Sequence, residues 1–238
     1  MTATALSADL ETRKDWGTAF AALRRLLADA DDTAQVFRIM RALNAGTSKT
    51  GYDRLLQTPE GGRLAYDHVE LAERFSDPEF VARFAEGTLG AAYAKFLEET
   101  GYSAQGLAEV SRTDGLMREG AHPYAWFGRR TRDVHDIWHL LTGYRADDPV
   151  GEACLTAFSY AQTGGLGWAM IAVGSAVQGL FTRSGRKVAR AIWEGYRNGR
   201  RAKWLLGEDY ERLLAEPLDT ARARLGIREP VAYLKIRH

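Results

Sequence analysis

Trp16, Phe20, Leu23 and Leu27 recur at steps of four, three and four residues, and spacing of this kind, not apolar–polar alternation, dominates the chain. The segment is therefore expected to be an amphipathic helix with those four residues on its inner face. TAQVFRIMRAL predicts a second helix, with Gly46 beyond Leu43 as its stop. Ser76, Asp77 and Pro78 stand in the order of a helix start, Pro78 falling in the first turn where its missing N–H costs nothing. Residues 87–100 predict another helix, closed by Gly101, in which Gly90, Ala91, Ala92 and Ala94 would let a neighbouring helix approach closely. A basic helical stretch runs from Arg186 to Leu205, followed by GEDYERLLAEPLDTARARLGI. Strand patterns bounded by turn residues are scarce. The expected fold is all-α, one domain over residues 1–238 with residues 1–12 flexible, and without internal repeats or low-complexity linkers.

Hydrophobic residues at 45% and charged residues at 26% are ordinary globular values, which excludes disorder as the main state. A net charge of +1 gives no global field for a polyanion, so nucleic acid is not an expected partner. Cys154 is the only cysteine, which rules out an internal disulfide and a cysteine-based zinc knuckle and fits a reducing compartment. The first residues, MTATALSADLETRKDW, lack the basic start and apolar run of a secretory signal, so the protein is expected in the cytoplasm. Residues 164–181, GGLGWAMIAVGSAVQGLF, reach only the lower limit of a membrane span and contain five glycines. They are read instead as a buried helix, a candidate wall for a lipid-binding cavity.

Charge is uneven. Arg183, Arg186, Lys187, Arg190, Arg197, Arg200, Arg201 and Lys203 stand against Glu194 alone within residues 183–203, leaving the rest of the chain net acidic. Such a run is either a solvated helix face or a surface for anionic lipid headgroups or a phosphate.

The stretch RRTRDVHDIWHLLTGYRADDPVGE, residues 129–152, carries the chemistry. On a helix, His135, Asp136 and His139 project at about 0°, 100° and 40°, so three possible metal ligands share one arc. Gly143 suits a helix end, and Asp148-Pro149 a cap followed by a first turn, so the chain should reverse there as an αα-hairpin. His139 lies about one turn before the first helix stops and Glu152 about one turn after the second starts, which sets them level across the hairpin. Two imidazoles and two carboxylates suit zinc or iron, with manganese or cobalt also compatible, and are too nitrogen-rich for calcium. H-D-x-x-H by itself also occurs as buried histidines bonded to backbone or carboxylate. Arg130 and Arg132 could hold a substrate carboxylate, or could be ordinary arginines near Asp133. His68 reads as a surface or capping residue, His122 cannot be placed, and His238 is terminal.

These residues resemble a known family. H-D-x-x-H followed about a dozen residues later by Gly-Glu is similar to the coenzyme Q (ubiquinone) biosynthesis protein 4 family. Glu86 to Tyr93 is similar to its E-G-T-L-G-x-x-Y segment, Gln162-Thr163-Gly164 to the start of its apolar helix, and Gly199 to Ile227 to its C-terminal part. The likeness spans residues 75–228 in order. One departure stands out: twelve residues separate His139 from Glu152 where the family has eleven, so either Asp147 or Asp148 could be the ligand instead. The resemblance implies an all-α, homodimeric, peripherally membrane-associated protein of ubiquinone biosynthesis. It would act at the inner face of the cytoplasmic membrane and remove the C1 carboxylate of a polyprenylated hydroxybenzoate, or serve as a non-catalytic prenyl-lipid scaffold for the other biosynthetic proteins. It implies His135, Asp136, His139 and Glu152 as the ligands of a divalent metal.

Overall fold

A computed structural model describes residues 14–29, 32–101, 106, 108–110, 122–182 and 184–237; residues 1–12, Arg183 and His238 lie outside the described residues. Its described residues are all-α, with no strand among them and one isolated bridge between Thr88 and Pro217.

The chain opens with α1 (Trp16–Ala28) and α2 (Thr33–Leu43). The first helix lies where the spacing placed it, but its buried face is Ala19, Ala22 and Leu26, while Phe20 is 60% exposed and Trp16 is also exposed. Small residues face inward because α1 packs closely on α2 and on a later helix, around Ile39, Leu43 and Ile171. The second helix ends on Asn44, whose N–H reaches Met40 O. Gly46, at φ 79°, opens α3 (Thr47–Leu55) instead of closing α2.

Shorter helices α4 (Gly61–Asp67), α5 (Leu71–Phe75) and α6 (Pro78–Ala82) follow, the last capped by Asp77, which accepts from Glu79 N at 3.0 Å. The helix α7 (Leu89–Thr100) starts on Thr88 and ends on Gly101, but the space beside Gly90 is filled by the Phe84 ring, not by a neighbouring helix. Next come α8 (Pro123–Asp133), α9 (His135–Thr142), α10 (Pro149–Thr163), α11 (Leu166–Leu180) and α12 (Gly185–Arg201). A 3-10 turn at Leu205–Gly207 and the helices α13 (Tyr210–Leu214), α14 (Leu218–Leu225) and α15 (Val231–Arg237) complete the chain. The basic helix thus stops at Arg201, short of Leu205.

The main core gathers Trp126, Trp138, Phe158, Tyr210 and Tyr233 from α8, α9, α10, α13 and α15. Within it α10, α11 and α12 pack together, and α12 comes close to α10 because Gly195 and Gly199 sit against the carbonyls of Cys154 and Phe158. The expectation of a buried helix at 164–181 holds for only one side of α11. Gly167, Ile171, Ala172 and Gly179 are buried, but Val173, Val177 and Leu180 are exposed, as is Phe181 just past its end at 88%. No helix among the described residues is long and apolar enough to cross a membrane.

Candidate metal centre

The hairpin forms from local signals. The left-handed cap Gly143 (φ 77°) ends α9, its N–H bonding His139 O at 2.8 Å, a conformation only glycine adopts without strain. Asp148 caps α10 by accepting from Val150 N at 3.0 Å and takes a second bond, 2.7 Å, from the Tyr233 hydroxyl. Glycine is required again at Gly151, where a Cβ would stand 2.3 Å from Arg145 O, so the reversing loop lies directly on the first turn of α10. The same C-terminal end of α9 is held by Arg222 of α14, whose guanidinium donates to Leu140 O at 2.8 Å and Leu141 O at 3.0 Å. A cation on the exposed carbonyls of a helix C-terminus is a favourable end group.

This framework sets His139 and Glu152 level with each other. Among the described residues His135, His139 and Glu152 form a group whose donor atoms all lie within 4.8 Å of one another. His139 Nε2 is 3.1 Å from Glu152 Oε1, and His135 Nε2 is 3.6 Å from Oε2. The two imidazoles stand edge to face, 5.0 Å between centroids. Asp136 is buried beside them but is not part of that group, so of the four expected ligands three converge.

The far nitrogen of His139 explains the arrangement. Its Nδ1 lies 2.8 Å from Tyr144 O, a carbonyl that can only accept, so Nδ1 carries a proton and, in the neutral ring, Nε2 presents a lone pair. Nε2 is buried and makes no hydrogen bond of acceptable geometry despite its closeness to Glu152. A buried lone pair aimed at a carboxylate is unfavourable unless a proton or a metal ion lies between them. A ligand histidine held through its other N–H by a backbone carbonyl is the usual support of a metal site. The residues present therefore fit a divalent ion bound by two nitrogens and a carboxylate.

Electrostatics point the same way. Desolvation opposes ionisation of Glu152, but His139 and His135 outweigh it and hold the carboxyl well below the ordinary range. Burial pushes His139 down, and the Glu152 carboxylate and Tyr144 carbonyl more than reverse this, leaving it raised. Asp136 is raised by burial, against the pull of both histidines. The Glu152 side chain is 40% exposed, so the centre opens to solvent on its side.

The other candidates lie elsewhere. Asp147 pairs with Arg145 and Asp148 is committed to its cap and to Tyr233, so the extra loop residue is absorbed without replacing Glu152. Arg130 donates to the carbonyls of Leu206 and Glu208 and lies against Trp126 and Tyr210, while Arg132 pairs with Asp133 at 2.6 Å in the interior. Both guanidiniums thus bind protein groups. His122 caps α8, its Nδ1 accepting from Tyr124 N at 3.2 Å. His68 occupies the cap position after α4 at φ 51°, its ring edge-on to Trp126. Sequence reasoning missed Trp168, whose ring lies nearly parallel to His135 at 5.6 Å. No local signal marks it, because α11 reaches His135 only through tertiary packing.

The family model of the coenzyme Q (ubiquinone) biosynthesis protein Coq4 matches residues 17–231. The chain belongs to this family. It is 31% identical over 182 residues to the mitochondrial ubiquinone biosynthesis protein COQ4 homolog of Danio rerio, covering 75% of this chain and 63% of that relative. It is likewise 31% identical over 186 residues to the mitochondrial ubiquinone biosynthesis protein coq4 of Pyrenophora tritici-repentis, with 75% and 59% covered. The chain thus spans about three fifths of the length of these Coq4 relatives. A crystal structure from Nostoc punctiforme, of a protein provisionally assigned to ubiquinone biosynthesis, shares the fold, with a TM-score of 0.65 and 22% identity over 91% of this chain and all of the other.

Proposed function

We propose that this chain takes part in ubiquinone biosynthesis as a metal-dependent enzyme that removes the C1 carboxylate from a polyprenylated hydroxybenzoate. The observation that carries the reading is the buried, unbonded Nε2 of His139 facing Glu152 beside His135, in a member of the Coq4 family. An ion held by His135, His139 and Glu152 would supply Lewis acidity toward an acid substrate, and iron in place of redox-inert zinc would make an oxidative variant feasible. The chain's own groups do the rest. The Tyr144 carbonyl holds the His139 tautomer, and Trp168 covers one side of the His135 ring. The partial exposure of Glu152 gives a substrate a way in, which favours catalysis over a closed structural site.

The exposed Val173, Val177, Leu180 and Phe181 support a second part of the reading, contact of α11 with the prenyl tail or with the inner face of the cytoplasmic membrane that carries it. The same surface would serve the non-catalytic scaffold. Release of CO2 from a carboxyl-labelled polyprenyl hydroxybenzoate separates the two. Release by the wild-type chain that is lost in His135→Ala, with fold and lipid binding kept, supports the enzyme. Lipid binding without any release supports the scaffold and contradicts the decarboxylase.

A further inference from the structure

Away from the metal centre, a groove of about 390 Å³ opens between α12 and the turn leading into α15. Arg190, Arg197 and Arg201 enter it from α12, and Arg228 from the turn opposite. The three helical arginines are spaced seven and four residues apart and so form one stripe, on the side of α12 away from the glycines that pack on α10. None of the four takes part in an ion pair among the described residues. Elsewhere Arg63, Arg74, Arg129, Arg132, Arg222 and Arg224 are all paired with carboxylates.

Two carboxylates share the groove. Glu194 is already engaged, accepting from Ala232 N at 2.7 Å, and Glu229 sits beside Arg228. Four guanidiniums against two carboxylates leave a surplus that matches a phosphate monoester, which carries about −1.5 to −2 near neutral pH. Planar guanidinium forks pair with phosphate oxygens two bonds at a time. Trp193, 59% exposed, and Val231, 43% exposed, form an apolar margin beside the charges. The volume falls at the small end of ligand sites, roughly 300–1,000 Å³, enough for a phosphate and a ring-sized group.

We propose that this groove binds a phosphate monoester through Arg190, Arg197, Arg201 and Arg228, with the ester's organic part against Trp193 and Val231. A soluble metabolite or the headgroup of a phosphatidate could present that chemistry.

Calorimetric titration of the whole chain with inorganic phosphate and with phenyl phosphate, alongside co-sedimentation with phosphatidylcholine vesicles with and without phosphatidic acid, tests it. The expected result is saturable binding of one phenyl phosphate per chain, tighter than inorganic phosphate. Arg197→Gln/Arg201→Gln should weaken it at least about tenfold, and Lys187→Gln, on the same helix but outside the groove, by less than about twofold. Trp193→Ala should reduce the preference for phenyl phosphate without changing affinity for inorganic phosphate. Binding only to phosphatidic acid vesicles, with the same arginine dependence, would support the site and assign the headgroup as its source. If the glutamine pair fails to fold, Arg197→Lys/Arg201→Lys keeps the charge, loses the fork and should weaken binding about threefold. No binding in either arm, or equal loss in Lys187→Gln, would overturn the proposal.

Discussion

His139 Nδ1 lies 2.8 Å from the carbonyl oxygen of Tyr144, five residues along the chain and across the turn that ends α9. That bond decides which nitrogen of His139 is bare, and so links the shape of a loop to the chemistry of the centre. It also fixes the direction of a pH effect. His139 must lose the proton that Glu152 helps to retain before Nε2 can bind a cation, so metal binding releases protons and weakens as pH falls. In the metal-free chain the raised His139 contributes stability below its ordinary value of 6.5 and loses it as pH rises through its higher folded value. The lowered Glu152 contributes above 4.5 and loses that contribution as pH falls. Metal-free stability should therefore peak between these limits, and added metal should raise Tm most on the alkaline side. Thermal scans from pH 4 to 9 with and without zinc check this; a metal-induced rise that is larger at pH 5 than at pH 8 contradicts it.

Gly151→Ala should damage the centre without touching a ligand. The new Cβ would meet Arg145 O at 2.3 Å, forcing apart the loop and the turn that carries Glu152. Overpacking of this kind costs about 1–3 kcal/mol. Unfolding by urea should show that loss, with weaker zinc binding in the same variant. Unchanged affinity would mean that the loop does not position Glu152.

Much of this region is legible in the sequence because its signals are local. Gly143, Asp148 and Pro149 end and start helices by their own backbone preferences, so the hairpin and the level placement of His139 and Glu152 follow from spacing alone. Whatever depends on a distant partner is not legible. Asp136 sits on the expected arc, yet its carboxylate is not drawn in with the other three. Trp16 and Phe20 satisfy the periodicity of α1, but Ala19 and Ala22 face α2 because only small residues allow that approach. Arg130 and Arg132 read equally well as substrate groups until Leu206, Glu208 and Asp133 are seen to occupy them.

Asp148→Ala removes both the cap of α10 and the carboxylate to which the Tyr233 hydroxyl donates. Loss of a cap costs about 0.5–2 kcal/mol, and loss of the Tyr233 hydroxyl's bond to the Asp148 carboxylate adds about 1.5–3 kcal/mol. Equilibrium unfolding should show a loss in that combined range while the chain still takes up metal. Loss of metal with no loss of stability would instead make Asp148 a ligand.

Arg132→Met tests whether this arginine serves the interior. Removing it leaves Asp133 buried without its counter-charge, a change that costs about 3–5 kcal/mol in comparable pairs. Burial already pushes the Asp133 carboxyl up to about 6 against the pull of Arg132, and without the arginine it would rise further. A carboxyl raised by folding takes stability away as pH increases, so the penalty should be small near pH 5 and largest near pH 8. A variant of wild-type stability that has lost only substrate binding would restore Arg132 as a substrate group.

The most direct test of the account is metal content. Elemental analysis of the purified chain beside His139→Ala and Glu152→Ala should find about one zinc, iron, manganese or cobalt per wild-type chain and almost none in either variant, both still folded by circular dichroism. A wild-type chain that carries no such ion and takes none up when it is supplied would contradict the metal centre and the decarboxylase built on it.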